Sequence, residues 1–210
     1  MLGNRDARED WDTQLLWKRY CGFLDLSMDG FKEIQNQLLL EQISLIAGSA
    51  LGQELFQGKP PANVEQFRER VPLTCKATYK RFFEIRNEEP LPEKPEVWAH
   101  TSDDGGDFQW VPYTRRAFNR LIDYTVASAV LATAQRKGDY LLPKKPKTLF
   151  NVPLRPYLTG LVAQGLFERN LFSPVIPIDK GEHMEFLEKI QMGFEEALET
   201  GVDVLGSKNS

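Results

Sequence analysis

Cysteine and histidine are scarce in this chain of 210 residues, with two of each. Cys21 and Cys75 lie far apart in unlike contexts, which fits a reducing compartment better than a disulfide framework. His100 and His183 leave no Cys/His cluster with zinc spacing, so no metal site is expected. They also leave no Ser/His/Asp or Cys/His set to assemble for nucleophilic catalysis. An excess of basic residues is missing too: 26 Lys and Arg stand against 30 Asp and Glu, a net charge of −4. No overall field would draw the chain to nucleic acid or to an anionic membrane, and Lys144-Lys145-Pro146-Lys147 reads as a solvated loop. The longest run without charge, about Tyr124 to Gln135, falls short of the roughly 20 residues that a spanning helix needs. The polar, acidic start MLGNRDAREDWD is unlike a secretory signal. The expectation is a cytoplasmic protein with neither nucleic acid nor membrane as partner.

What is present is a change of pattern near residue 90. Before it, apolar residues recur at helical spacing: Trp11, Leu15, Leu16, Tyr20, Phe23 and Leu24, then Phe31, Ile34, Leu38, Leu45 and Ile46. The second helix starts after Ser27 or Asp29 and weakens at Gly48 and Gly52. Asn63 is placed to cap a helix over Val64–Arg70, and Thr74 to cap another that runs through Phe83. After Pro90, Pro92 and Pro95 the chain alternates strands with helices. Val97–Thr101 and Phe108–Val111 read as strands. Thr114 caps a helix over Arg115–Lys137 that Gly138 closes, with Phe118, Leu121, Ile122, Thr125, Ala129 and Ala132 inward. Strand Thr148–Val152, helix Tyr157–Arg169, an edge strand Phe172–Ile178 broken by two prolines, helix Glu182–Thr200 and strand Val202–Leu205 form a pair of parallel crossovers. The last helix is expected to turn Phe186, Leu187, Ile190, Phe194 and Leu198 inward. The fold class is therefore α/β: a helical N-terminal layer, 1–89, packing on a partial, mostly parallel sheet with flanking helices, 90–210.

The segment joining the first two strands, Thr101-Ser102-Asp103-Asp104-Gly105-Gly106-Asp107-Phe108-Gln109, has the layout of a phosphate cradle. Such a loop needs glycines for close approach of backbone N–H groups, hydroxyls that donate to phosphate, and a cation to balance charge. Thr101, Ser102, Gly105 and Gly106 supply the first two needs. No lysine supplies the third, and carboxylates stand at its heart. Asp103, Asp104 and Asp107 have the chemistry to hold Mg²⁺, although three aspartates in a turn are more often solvated.

The residues around the loop carry a family resemblance. Phe67-Arg68-Glu69-Arg70-Val71-Pro72-Leu73-Thr74, the Thr101-Ser102 loop, Trp110-Val111-Pro112-Tyr113-Thr114 and Asn151-Val152-Pro153-Leu154-Arg155-Pro156-Tyr157-Leu158-Thr159-Gly160 resemble the N-terminal half of bacterial acyl-adenylate-forming enzymes. The nearest are the auxin-responsive-promoter-type acyl-acid amido synthetases, with phenylacetate–CoA ligases more distant. Leu16-Trp17-Lys18-Arg19-Tyr20-Cys21-Gly22-Phe23-Leu24 and Gly201-Val202-Asp203-Val204-Leu205-Gly206-Ser207 look like the same branch. The resemblance implies ATP, with Mg²⁺, and a small carboxylic acid. The carboxylate attacks the α-phosphate to give an acyl-adenylate and pyrophosphate, and an amine or thiol then takes the acyl group. In the family pattern Asp103 stands where the first loop glycine falls, Asp104 where the central hydroxyl falls, Gly105 where a second hydroxyl falls, and Gln109 where lysine is expected. Gly106 matches. Each like-charge pair at about 4 Å costs on the order of 1 kcal/mol in water and about 4 near a protein surface, so nucleotide binding is expected to be impaired. The family's adenine pocket and mobile domain lie beyond the matched region. The chain is therefore expected to act as an N-terminal portion, inactive alone, completed by a C-terminal half or serving as a non-catalytic assembly module.

Other residues have structural readings beside the functional ones. His100 has a place for a base or phosphate donor, but a histidine at a strand end is commonly structural, and His183 falls in the first turn of an exposed helix. Arg155 and Tyr157, past the end of a strand, are placed for an anionic or aromatic substrate or for packing at a helix start. Trp98 and Trp110 read as packing, Asn151 and Thr159 carry weak signals, and Ser207 and Ser210 are terminal. No catalytic residue is assigned.

Overall fold

The computed structural model describes residues 13–101 and 109–207. The fold is mixed α/β. It groups into two compact units, Met1–Gly22 with Phe118–Ser210, and Phe23–Ala117. The composition change near residue 90 falls inside the second of these.

Unit Phe23–Ala117 is mostly helical. After α1 (Thr13–Leu16), which belongs to the other unit, come α2 (Met28–Ala47), α3 (Ala50–Leu55), α4 (Val64–Arg70) and α5 (Lys76–Phe83). Side-chain caps set three of these starts. The N–H groups of Gly30, Gly52 and Gln66 donate to Ser27 Oγ, Ser49 Oγ and Asn63 Oδ1 at 3.1, 3.0 and 2.9 Å. Each bond satisfies a donor that the first helical turn leaves free. Asn63→Ala is expected to cost about 1 kcal/mol, read as a shifted denaturation midpoint with unchanged slope. The cap of α5 corrects the sequence reading. It is Cys75, whose N–H donates to Thr78 Oγ1 at 3.2 Å in a capping box, because Thr78 sits three residues on from Cys75 and not from Thr74. Thr74 instead accepts from the Tyr79 hydroxyl. In α2 the buried residue is Ile43, while Phe31, Ile34 and Leu45 are exposed and Leu38 and Ile46 half-buried, so only part of the expected stripe is covered.

Two strands follow, β1 (Val97–Thr101) and β2 (Gln109–Tyr113), paired antiparallel with Thr101 opposite Gln109 and Val97 opposite Tyr113. Thr114 then caps α6 (Arg115–Ala132), accepting from the Ala117 N–H at 3.2 Å.

The other unit holds the larger core. Its first segment is not one helix. A π-helical turn, Trp17–Cys21, follows α1, and the next turn, the 3₁₀ turn Gly22–Asp25, spans the boundary to Phe23 of the other unit. Trp17, Tyr20 and Cys21 are buried with Ile122, Val126 and Val130 of α6, and with Leu166 and Phe172. The buried line of α6 is thus Ile122, Val126 and Val130, and Ala132 is exposed. The helix stops at Ala132, short of the expected Lys137. Thr133 Oγ1 donates back to the Ala129 and Val130 carbonyls. β3 (Ala134–Arg136) and β4 (Asp139–Tyr140) then form a hairpin. Gly138, at φ +78°, serves the hairpin turn and not a helix end.

β5 (Lys147–Asn151), β6 (Ser173–Pro174) and β7 (Val204–Ser207) form a sheet in the order β6-β5-β7, with both pairs parallel. α7 (Leu158–Glu168), α8 (Ile178–Glu182) and α9 (Phe186–Thr200) make the crossovers, so the parallel pair read from sequence is present. Asp203 fixes the register of β7. Its carboxylate accepts the Lys147 N–H at 2.7 Å and its own N–H donates to the Lys147 carbonyl at 2.8 Å. β6 is an edge, as expected, but only two residues pair, since Pro174 and Pro177 lack the N–H that a ladder uses.

The last helix differs most from its expectation. It begins at Phe186, after the separate α8, and it is rotated. Gly193 faces the sheet, where a Cβ would stand 2.6 Å from Leu149 Cδ1 and 3.4 Å from Ile176 Cδ1. Met192 and Ala197 pack on that cluster. Leu187 and Leu198 are 77 % and 87 % exposed, and Phe186 and Phe194 also face outward.

Candidate functional site

Of the residues read as phosphate contacts, Ser102, Asp103, Asp104, Gly105 and Gly106 lie outside the described residues. Thr101 and Gln109 are described and stand opposite each other at the open end of the hairpin. The Thr101 hydroxyl reaches the Gln109 carbonyl at 3.5 Å. Alternation along the strands puts Val97, Ala99, Thr101, Gln109, Val111 and Tyr113 on one face of the hairpin. Ala99 is fully buried there, and burial pushes the Tyr113 hydroxyl pKa up.

The opposite face is aromatic. His100 lies opposite Trp110, ring centroids 3.9 Å apart. Trp98 donates from Nε1 to Glu88 Oε1 at 3.2 Å and takes the Phe83 ring edge-on at 6.2 Å. Phe83 stacks on Tyr79 at 5.7 Å, which seats α5 against the hairpin. Arg86, at φ +51°, lays its guanidinium over Trp110, 4.7 Å from the ring centroid. Such contacts are worth about 0.5–1 kcal/mol at exposed sites. His100 therefore belongs to a packed aromatic row and points away from the Thr101–Gln109 face. Trp98 and Trp110 have the packing roles their sequence context suggested. Arg86 was not foreseen, because nothing in its own neighbourhood marks it and it reaches Trp110 through the fold.

Neither β1 nor β2 carries a lysine or arginine. The next cation, Arg115, is paired with Glu96 at 3.2 Å, and Arg116 with Glu41 at 3.1 Å. Among the described residues of the hairpin strands, no lysine or arginine stands on the Thr101–Gln109 face.

The remaining candidates belong to the other unit. Arg155 is exposed; its Nε donates to Gln164 Oε1, and its NH2 lies 3.9 Å from Glu168, so it lies along the surface of α7. Tyr157 is the N-cap residue of α7 and half-buried. Asn151 is buried at the end of β5, and Thr159 is exposed. His183 ends α8, and does not open a helix, and is exposed. Ser210 lies outside the described residues. Among the described residues, no group of three or more His, Cys, Asp or Glu side chains is placed to hold a metal ion, and no helix is long and apolar enough to cross a membrane.

This second unit also holds a pocket that the sequence did not announce. It has a volume of about 60 Å³ and is lined by Thr148, Leu149 and Phe150 of β5 and by residues that follow β5 and β6. Its walls include Leu154, Ala163, Phe167, Ile176 and Ile178, with Lys189 of α9 among them. Burial lowers the pKa of Lys189. In its sequence neighbourhood, Lys189 looks like any charged residue on an amphipathic helix.

No family model, curated protein or solved structure matches this chain.

Proposed function

We propose that the β1–β2 hairpin is the counterpart of the phosphate loop of an acyl-adenylate-forming enzyme. On this reading the chain is built on the plan of an ATP-dependent activator of a small carboxylic acid, and its loop has lost ordinary ATP handling. The observation that carries the proposal is the antiparallel hairpin itself: strands at Val97–Thr101 and Gln109–Tyr113 bracket residues 102–108 and set Thr101 against Gln109. The parallel sheet β6-β5-β7 with its crossover helices is compatible with the same plan. Thr101, Ser102, Gly105 and Gly106 would meet the phosphates. The residues present fit Mg²⁺-ATP poorly, because Gln109 stands at the position for a cation and the hairpin strands supply none. Attack of a carboxylate on a phosphate needs chiefly positioning and charge stabilisation, and no general base. Calorimetric titration with Mg²⁺-ATP tests the reading: heats too weak for micromolar binding are expected, and a micromolar Kd would overturn the view that the loop is disabled.

A non-catalytic assembly role is the second reading, and the outward apolar side of α9 favours it. Leu187, Phe194 and Leu198 are exposed there, as is Leu205 of the edge strand β7. Exposed apolar surface of this kind is what a protein partner covers. The occupant that needs no other component is a second copy of the chain. Sedimentation across a hundredfold concentration range should show self-association, reduced by Leu187→Glu with Leu198→Glu. A monomer throughout would sink this reading.

A further inference from the structure

The pocket lies beside β5, lined by Thr148, Leu149 and Phe150 of that strand and by residues that follow β5 and β6. Its walls are mostly apolar, and its polar groups are accounted for one by one. Thr148 Oγ1 donates to the Pro146 carbonyl at 3.0 Å. The Gln164 amide is engaged at both ends, accepting from Arg155 and donating to Glu168 Oε1 at 2.8 Å. Lys189 is different. Gly193, one turn further along α9, lets the helix lie close to Leu149 and Ile176. That approach lays the lysine stem along the pocket, with Cε 3.7 Å from where a side chain on Gly181 would begin. The side chain is half-buried, and among the described residues no carboxylate or carbonyl pairs with its ammonium. A cation drawn out of water without a counter-ion is destabilising, and an anion placed beside it relieves that cost.

We propose that this pocket binds a small molecule with a short alkyl body and a single anionic oxygen head, the head paired with Lys189 and the body against Ala163, Phe167 and Ile176. The size of the cavity selects the body. At about 60 Å³ it is well below the roughly 150 Å³ of an engineered cavity that admits benzene, so a chain of a few carbons fits and an aromatic ring does not. The head is recognised by charge alone, because one ammonium offers donors without the planar fork that an arginine would present. The proposal is independent of the hairpin reading: it involves no nucleotide and no residue of β1 or β2.

Butane-1-sulfonate, charged at every accessible pH, is the probe, with butan-1-ol and benzenesulfonate as comparisons. Binding is followed by NMR on isoleucine and alanine methyl groups of the full chain. Butanesulfonate should shift the signals of Ile176, Ile178 and Ala163 and bind at least tenfold more tightly than either comparison. Lys189→Gln should abolish the preference over butanol, and Lys189→Arg should retain most of it. Equal affinity for butanesulfonate and butanol on the unaltered protein, shifts confined to other surfaces, or unchanged binding in Lys189→Gln would each overturn the proposal. Should Lys189→Gln fail to fold, the ligand comparison on the unaltered protein decides alone.

Discussion

Gly160→Ala should destabilise this protein by about 3 kcal/mol or more, at the upper end of what overpacking costs. Gly160 lies in the first turn of α7, where the chain doubles back after β5. A Cβ there would stand 2.2 Å from the Pro153 carbonyl oxygen and 2.8 Å from Leu154 Cα. Both obstacles are backbone, so no rotamer change relieves the clash. Either α7 moves off the chain that precedes it or the turn itself opens. Movement of α7 would disturb Leu166, fully buried against the core of its unit, and Ala163 in the wall of the pocket. For a chain of this length, 3 kcal/mol corresponds to a fall of roughly 6–12 °C in melting temperature. Gly48→Ala is the control. Its Cβ would meet nothing within 4 Å, its φ is −81°, and the change should be neutral or slightly stabilising. Thermal unfolding of the two variants beside the parent checks both statements, and a Gly160→Ala protein as stable as Gly48→Ala would show the close approach to be unimportant. The same packing gives a physical reason for a glycine at the end of Asn151–Gly160, whatever ligand that segment meets.

Glycine also explains why parts of the fold escaped the sequence. Apolar spacing in the sequence puts Phe186, Leu187, Ile190, Phe194 and Leu198 on the inner face of α9. The sheet-facing contact is made at Gly193, where nothing projects and the helix can sit against Leu149 and Ile176. A count of side chains gives that position no weight. Gly138 misled in another way. A glycine with positive φ ends helices and turns hairpins alike, and only the pairing of Ala134 with Tyr140 separates the two. Local signals fared better. Ser27, Asn63 and Thr114 cap the helices they precede, since a cap is decided within four residues. Of the candidate site, the bracketing strands were legible because β1 and β2 are close in sequence. Arg86 over Trp110 and Lys189 at its pocket were not, because each is placed by contacts between segments far apart in the chain.

If the hairpin is the phosphate loop proposed above, changing it to the family pattern should have a large effect in the opposite direction, on binding. A chain carrying Asp103→Gly, Asp104→Thr and Gln109→Lys together should bind Mg²⁺-ATP about a hundredfold more tightly than the parent. Two negative charges are removed and one positive charge is added at the end of a hairpin whose described strands carry no cation of their own. If each change is worth about 1 kcal/mol against a polyanion, the value for a charge pair about 4 Å apart in water, the sum is about 3 kcal/mol, or a factor of roughly a hundred. Screening separates this from a gain in stability alone. The added affinity should shrink as salt rises from 50 mM to 0.5 M, because the Debye length falls well below 10 Å over that range. Gln109→Lys alone tests the register. Gln109 faces Thr101 across the ladder, so a lysine there starts beside the hydroxyl assigned to phosphate and should recover about a third of the free energy. Equal and weak binding by parent, single and triple variants, with unfolding curves unchanged, would mean that phosphate does not meet this hairpin, and the acyl-adenylate reading would fall with it.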